Sequence, residues 1–254
     1  TARPARAAAA PAVRALAQRL GVDLAGVSGR GPGGAILSAD VEAAAELGEP
    51  LRGVRRAMAR AMADAGAVVV PATLTDRADI TAWGKRANPT LRLIRAICVA
   101  AKAVPALNAR LQDQRRLLGD QVDLAIAVDT PDGLFAPVLK AVDRDAPRQL
   151  AKRIQALKAA VRDRTLAPGD LRGGTITLSN FGMLGGEHAA LVVSPPQVAI
   201  LGAGRIHDGV LAVNGKPAVR RVLPLSLTFD HRAVTGGEAA GFMAALRADL
   251  EQAR

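Results

Sequence analysis

A hydroxyl and an imidazole, each at the end of a strand-like run, carry the chemistry readable in this sequence. In Thr175–Gly182, TITLSNFG, Ile176 and Leu178 fall on one side of the alternation, and Thr175, Thr177 and Ser179 on the other. Leu223, Leu225, Leu227 and Phe229 form a second stripe that ends in Asp230, His231 and Arg232, within Leu225–Gly237, LSLTFDHRAVTGG. A serine hydroxyl can donate to a developing oxyanion, and an imidazole can take a proton near neutral pH. That pairing suits acyl transfer.

The elements that must position these groups fit within 254 residues, enough for one sizeable domain and one small one. Half the chain is hydrophobic and only 2% aromatic, so the core is built from Ala, Val, Leu and Ile. Lys and Arg outnumber Asp and Glu 34 to 23, a net charge of +11 that favours acidic proteins, phosphorylated small molecules or polyanions. The charge is scattered and stacking aromatics are almost missing, which excludes nucleic acid as the expected partner. The single Cys98 permits no internal disulfide and lies on an apolar helical stripe with Ile94, Ile97 and Ala101, where it reads as a small core residue. No run reaches transmembrane length and no secretory signal opens the chain, so a cytoplasmic, bacterial-type setting without membrane contact is expected. Thr1 is not an initiator Met, which points to processing or to a piece of something longer.

Residues 1–10, TARPARAAAA, have linker composition. Val13, Leu16, Ala17 and Leu20 then recur at helical spacing, with Gly21 placed to end the helix in a left-handed turn. After the glycine loop Gly29–Gly34, Ser38 is expected to cap a second helix with Asp40 and Glu42 in its first turn. This gives a two-helix domain at 11–46, a linker at 47–51 and a large domain at 52–254. In the large domain, helices are expected around 54–65, 91–102, 150–161 and 239–250. Strands are expected at 68–70, 73–80, 122–128, 198–202 and at the two motif-bearing runs. The fold class is α/β (α+β).

Gly29, Gly31 and Gly34 match a dinucleotide-loop spacing, but no strand precedes them and no helix opens from them, so that reading fails. Pro11–Ala44, with its GRGPGG loop, instead resembles the peripheral subunit-binding domain of dihydrolipoyl acyltransferases, components of 2-oxo acid dehydrogenase complexes. The remainder resembles the catalytic domain of the same family, through LRGVRRAMARAM, PALNARL, VDLAIAVDTPDGLFAPVL, LAPGDLRGGTITLSNFGMLGG, PPQVAILGAG and the DHR motif. That likeness implies a chloramphenicol-acetyltransferase-like catalytic domain, a homotrimer or larger trimer-based core, and active sites shared between neighbouring chains. It also implies that residues 11–44 hold lipoamide dehydrogenase or the 2-oxo acid dehydrogenase, with Arg14 at a matching position. The other usual arginine is Ala35 here, and Arg30 earlier in the loop can stand in for it.

The resemblance makes His231 the general base and Ser179 the group that stabilises the tetrahedral intermediate. The reaction it implies moves an acyl group, acetyl by preference, between dihydrolipoamide and coenzyme A. No metal is expected. Asn180, beside Ser179, and Arg52 are expected to touch coenzyme A, although Arg52, Arg55, Arg56 and Arg60 also read as a solvated helix face. Lipoamide would ride on a lipoyl domain outside this chain, since no lysine has the required acidic hairpin setting. The family's Asp in the DHRxxDG motif is Thr235 here, which cannot form an ion pair. Thr235 precedes Glu238 by capping-box spacing, so it is expected to cap the last helix and keep His231 placed. His188 and His207 match no catalytic position. A branched-chain acyltransferase, a non-catalytic scaffold docking partner enzymes and an antibiotic-modifying acetyltransferase are the alternatives; the small domain counts against the last.

Overall fold

The computed structural model describes residues 9–46, 51–84, 86–131 and 133–253. Most of the two expected linkers, at 1–10 and 47–51, lies outside the described residues. The chain divides into two compact units, one ending at Arg56 and the other beginning at Ala57.

The small unit carries α1 (Pro11–Arg19) and α2 (Ser38–Glu46), joined by a loop with two short 3-10 turns. Ala17, Ile36 and Val41 form its buried centre. Gly21 adopts φ +69°, the left-handed turn that ends α1, a region where side chains with a Cβ are strained. Ser38 is the first helical residue of α2 rather than its cap. The reciprocal acceptor is Asp40, whose carboxylate takes the amide of Leu37 at 3.0 Å from inside the first turn. So small a core leaves much of the unit's order to polar contacts of this kind.

The next helix, α3 (Gly53–Val68), contains the division between the units. The large unit continues through β1 (Pro71–Asp79), α4 (Pro89–Ala103), β2 (Ala109–Gln112), β3 (Arg115–Leu118), β4 (Leu124–Ile126), β5 (Val128–Thr130), β6 (Gly133–Phe135) and β7 (Val138–Leu139). After these come α5 (Pro147–Arg162), β8 (Ile176–Asn180), β9 (Ala199–Ala203), β10 (His207–Val213), β11 (Lys216–Asp230) and α6 (Gly236–Leu250). The main sheet runs β1-β11-β9-β8-β4-β7, with β10 paired to the first half of β11. The β4–β8 and β8–β9 pairs are parallel and the other pairs antiparallel, giving a mixed α/β domain.

Helices α4, α5 and α6 cover one face. Ile94 and Ile97, Leu150 and Ile154, and Phe242 and Leu246 share a single core with Ile176 and Leu178 and with the β11 stripe Leu223, Leu225, Leu227 and Phe229. Two strand expectations change. Val68 is the last residue of α3, so the strand begins at Pro71 and not at 68. The alternating run 122–128 breaks after Ala127: Leu124–Ile126 joins the main sheet, while Val128–Thr130 pairs locally with Gly133–Phe135 across a tight turn.

The other face of the sheet is also covered. Ser226 and Thr228 are 0% and 1% exposed beneath the segment that follows β8. Their hydroxyls accept the Ala189 and Leu191 amides, each at 3.1 Å. An extended segment with no strand partner thus satisfies alternate N–H groups on a row of hydroxyls, which is why the polar side of these strands tolerates burial.

Candidate active site

Ser179 and Asn180 close β8, both half-buried, with Ser179 on the face opposite the helical core. Just beyond them the chain turns sharply: the Phe181 and Gly182 amides both donate to the Ala203 carbonyl at 3.1 Å. A Cβ at Gly182 would sit 2.3 Å from the Gly204 carbonyl oxygen, so the glycine of SNFG is required by close backbone approach. In the register, Ser179 pairs with Gly202, and Gly202 with Ser226 of β11.

His231 follows the last residue of β11. Its amide donates to the Val70 carbonyl at 2.8 Å, and its ring lies 5.6 Å from that of Phe229, tilted by 46°. Asp230, 2% exposed, accepts from the Val70 amide, the Arg232 amide and the Arg232 guanidinium, the last through both oxygens. Burial alone pushes the Asp230 carboxyl up, but these donors together hold it below the usual carboxylate range. The turn that presents His231 is therefore pinned on both sides of the imidazole.

Thr235 is the N-cap of α6. Its Oγ1 accepts the Glu238 amide at 3.2 Å, and Glu238 accepts the Thr235 amide at 2.8 Å, a complete capping box. The Thr235 amide, foremost, holds the Glu238 carboxyl below its ordinary value; burial opposes this, and Arg116 adds to the lowering. Arg116 of β3 donates both to Glu238 and to the Ala233 carbonyl, at 2.8 Å each, so a distant hairpin braces the His231 turn.

Ser179 and His231 do not meet within one chain. Ser226, in the Ser179 row, precedes His231 by five residues along β11. At about 3.3 Å per residue and about 4.8 Å per strand, the two sites lie roughly 19 Å apart, at opposite ends of the sheet.

Three other expected residues belong to the small unit. Arg52 donates to the Gly21 carbonyl at 2.8 Å, at the end of α1. Arg30 forms an ion pair with Asp40 (Nε to Oδ1, 2.6 Å), while 70% of its side chain stays exposed. Arg14, exposed on α1, donates to the Ala9 carbonyl.

Asp230 and Arg116 were not singled out in the sequence. Asp230 shares the parity of the buried residues Ser226 and Thr228, a signal that could have marked it. Arg116 lies 117 residues from Ala233, and nothing local announces the contact.

Fold and site together define a two-unit α/β protein whose chemistry-bearing groups sit on the mixed sheet of the large unit. The sequence model of the family described as 2-oxoacid dehydrogenases acyltransferase (catalytic domain) matches residues 44–254, and that of the e3 binding domain matches residues 7–42. The chain belongs to the 2-oxoacid dehydrogenase acyltransferase family. It is 33% identical over 273 residues to the dihydrolipoyllysine-residue acetyltransferase component of the acetoin cleaving system of Bacillus subtilis, covering 95% of this chain and 68% of that one. It is 34% identical over 283 residues to the lipoamide acyltransferase component of the branched-chain alpha-keto acid dehydrogenase complex of Pseudomonas aeruginosa, covering 97% and 66%. The chain thus spans about two thirds of the length of these relatives. Among solved structures, the dihydrolipoamide acetyltransferase of Azotobacter vinelandii superposes with a TM-score of 0.75 at 29% identity, covering 81% of this chain and 91% of that one. That enzyme was studied for the role of a serine, a histidine and an asparagine in its catalytic mechanism.

Proposed function

We propose that this chain is the docking and catalytic part of a dihydrolipoyl acyltransferase. It transfers an acyl group between dihydrolipoamide and coenzyme A in a site built from two copies. The observation that carries this is the separation of Ser179 and His231 to opposite ends of one sheet. A cyclic assembly, a trimer in this reading, brings the Ser179 end of each copy to the His231 end of the next. The Azotobacter enzyme supports the residue roles. Its serine and histidine are 52 residues apart, the spacing of Ser179 and His231, and its asparagine follows the histidine by four, where this chain has Thr235. A neutral polar residue at that position is therefore compatible with the chemistry.

His231 removes the proton from the coenzyme A thiol, which is mostly un-ionised near neutral pH. The thiolate attacks the carbonyl carbon of acyl-dihydrolipoamide, and the resulting oxyanion accepts a hydrogen bond from the Ser179 hydroxyl. Collapse expels the dihydrolipoamide thiolate, which recovers the proton from the imidazolium. Asn180, next to Ser179, is assigned to the coenzyme A side.

The small unit docks lipoamide dehydrogenase or the 2-oxo acid dehydrogenase through Arg14 and the exposed part of Arg30. The lipoyl group is supplied from a lipoyl domain. Acetyl is the assigned acyl group and a branched-chain acyl the second reading, since both kinds of relative match at similar identity. No helix among the described residues is long and apolar enough to cross a membrane, and the cytoplasm is the proposed location. An assay of acetyl-, isobutyryl- and succinyl-coenzyme A against free dihydrolipoamide tests the reading. Transfer, with one donor preferred, supports it; a folded assembly that transfers none would leave only a scaffold.

A further inference from the structure

The His231 imidazole is exposed and makes no hydrogen bond among the described residues; its ring contact is Phe229, 5.6 Å away. A general base is ordinarily aimed by a partner on its second ring nitrogen. Here the backbone turn does the aiming. Before the imidazole, Asp230 is fixed by Val70 and Arg232. After it, the Ala233 and Val234 amides both donate to the Asp230 carbonyl, at 2.9 and 3.0 Å, and the chain enters α6 at Thr235. The Ala233 carbonyl lies between this turn and the helical ladder, and its donor is Arg116.

Arg116 reaches that carbonyl from a rigid support. Strands β2 and β3 pair with Leu111 opposite Arg116, around Asp113 and Gln114 at φ 47° and 59°. Left-handed backbone at both central positions matches the strand twist of a two-residue hairpin and fixes its register. Asn108, 3% exposed, staples the base: its side-chain amide donates to the Gly119 and Gln121 carbonyls, and its oxygen accepts from the Thr175 hydroxyl. The Leu111 amide donates to the Pro196 carbonyl at 2.7 Å, tying the hairpin to the segment before β9.

Both contacts of Arg116 come from one nitrogen, Nη1, at 2.8 Å to the Ala233 carbonyl and 2.8 Å to Glu238 Oε1. The other oxygen of Glu238 accepts the Thr235 amide. One guanidinium thus locks the Ala233–Val234 peptide to the first turn of α6. The two side chains are 36% and 28% exposed, too open for the ion pair to add much to stability. Its effect lies in direction. We propose that Arg116 is a positioning residue for the transfer reaction, holding the Ala233 carbonyl and Glu238 so that the turn aims the His231 imidazole at the thiol. The proposal rests on the acyl-transfer reading for the reaction it serves.

The test compares the assembled wild-type protein with Arg116→Ala, Arg116→Lys, Glu238→Gln and the double variant of Arg116→Ala with Glu238→Gln. Arg115→Ala is the control on the same hairpin, since Arg115 is exposed and joins no ion pair among the described residues. Arg116→Ala should lower kcat about tenfold to a hundredfold, the scale of a misplacement near 1 Å, with KM for both substrates within about twofold. Its Tm should fall by no more than about 4 °C. Arg116→Lys, whose ammonium can still donate to both acceptors, should recover most of the loss. Glu238→Gln should lower kcat in the same direction, and the double variant should lose less than the product of the single losses, because both break one lock. Arg115→Ala should leave kcat unaltered.

A lowered Tm with unchanged kcat in Arg116→Ala would make the contact a structural one and overturn the proposal. So would an equal loss in Arg115→Ala, or a loss that Arg116→Lys does not recover. Should Arg116→Ala fail to fold, Glu238→Gln decides, and an unchanged kcat there overturns the proposal. A wild type that transfers nothing overturns the transferase reading and this one together; an Arg116→Ala variant as fast as an active wild type overturns this one alone.

Discussion

Asp230 and Arg232 grip each other across the residue between them, with Arg232 Nη2 2.6 Å from Asp230 Oδ2 and His231 held in the middle. The carboxylate is 2% exposed at its side chain while the guanidinium is 43% exposed, so the pair faces solvent only on the arginine side. Asp230→Asn keeps the shape and removes the charge. We expect it to cost about 1–3 kcal/mol, the worth of hydrogen bonds to a charged group, and to slow turnover by misplacing the imidazole.

The same pair sets an acid limit. The folded-state pKa of Asp230 lies below its unfolded value of about 3.9, so its contribution is complete above that pH and is lost as pH falls through the folded pKa. Thermal melts of wild type and Asp230→Asn should therefore differ most near neutral pH and converge below about pH 4. A gap that stays constant on acidification would refute the assignment.

Thr235 caps α6 through its hydroxyl and its amide. Thr235→Ala removes one half of the capping box and should cost about 1 kcal/mol, seen as a drop of roughly 2–4 °C in Tm for a domain of this size. Activity should fall with it. Thr235→Asn, also a good cap, should retain both; an alanine variant with unchanged Tm and activity would show that the cap does not position His231.

The distance between Ser179 and His231 makes a prediction about mixtures. Ser179→Ala should lower kcat by about 10²–10³, and His231→Asn should lower it further. Dissociated and reassembled together in equal amounts, the two inactive variants should regain roughly a quarter of wild-type activity, because that share of interfaces pairs an intact serine with an intact histidine. Recovery no greater than the sum of the separate variants would place both groups in one chain.

In the small unit the decisive pair is Asp40 and Arg30. The Arg30 and Leu37 amides, then the Arg30 guanidinium, lower the Asp40 pKa to about 2. Its stabilising effect is full above the unfolded carboxylate pKa of about 3.9 and disappears as pH drops toward 2. Asp40→Asn should loosen the loop at neutral pH, visible as faster amide exchange at Arg30 and Leu37. Exchange unchanged from wild type would count against the pair's role.

Helices were the most legible elements in the sequence. The expected runs at 54–65, 91–102, 150–161 and 239–250 lie inside α3, α4, α5 and α6, because one apolar stripe at helical spacing is a local property that tertiary packing reinforces. Strand runs were less secure. The 122–128 alternation was real, yet two different sheets divided it. The structure buries the hydroxyls of Ser226 and Thr228 under residues 189–191. Alternation records which side a residue takes and says nothing of what will cover that side.

The sequence by itself determined the chemistry-bearing types, their placement at strand ends, the Thr235–Glu238 cap and the family, since each rests on local spacing or on an ordered set of motifs. Only the tertiary structure decided that Ser179 and His231 stand at opposite ends of one sheet, that Asp230 and Arg116 brace the histidine turn, and that Arg52 serves the small unit. Those facts depend on strand order and register, which are fixed by contacts between residues up to 160 positions apart, and no local pattern encodes them.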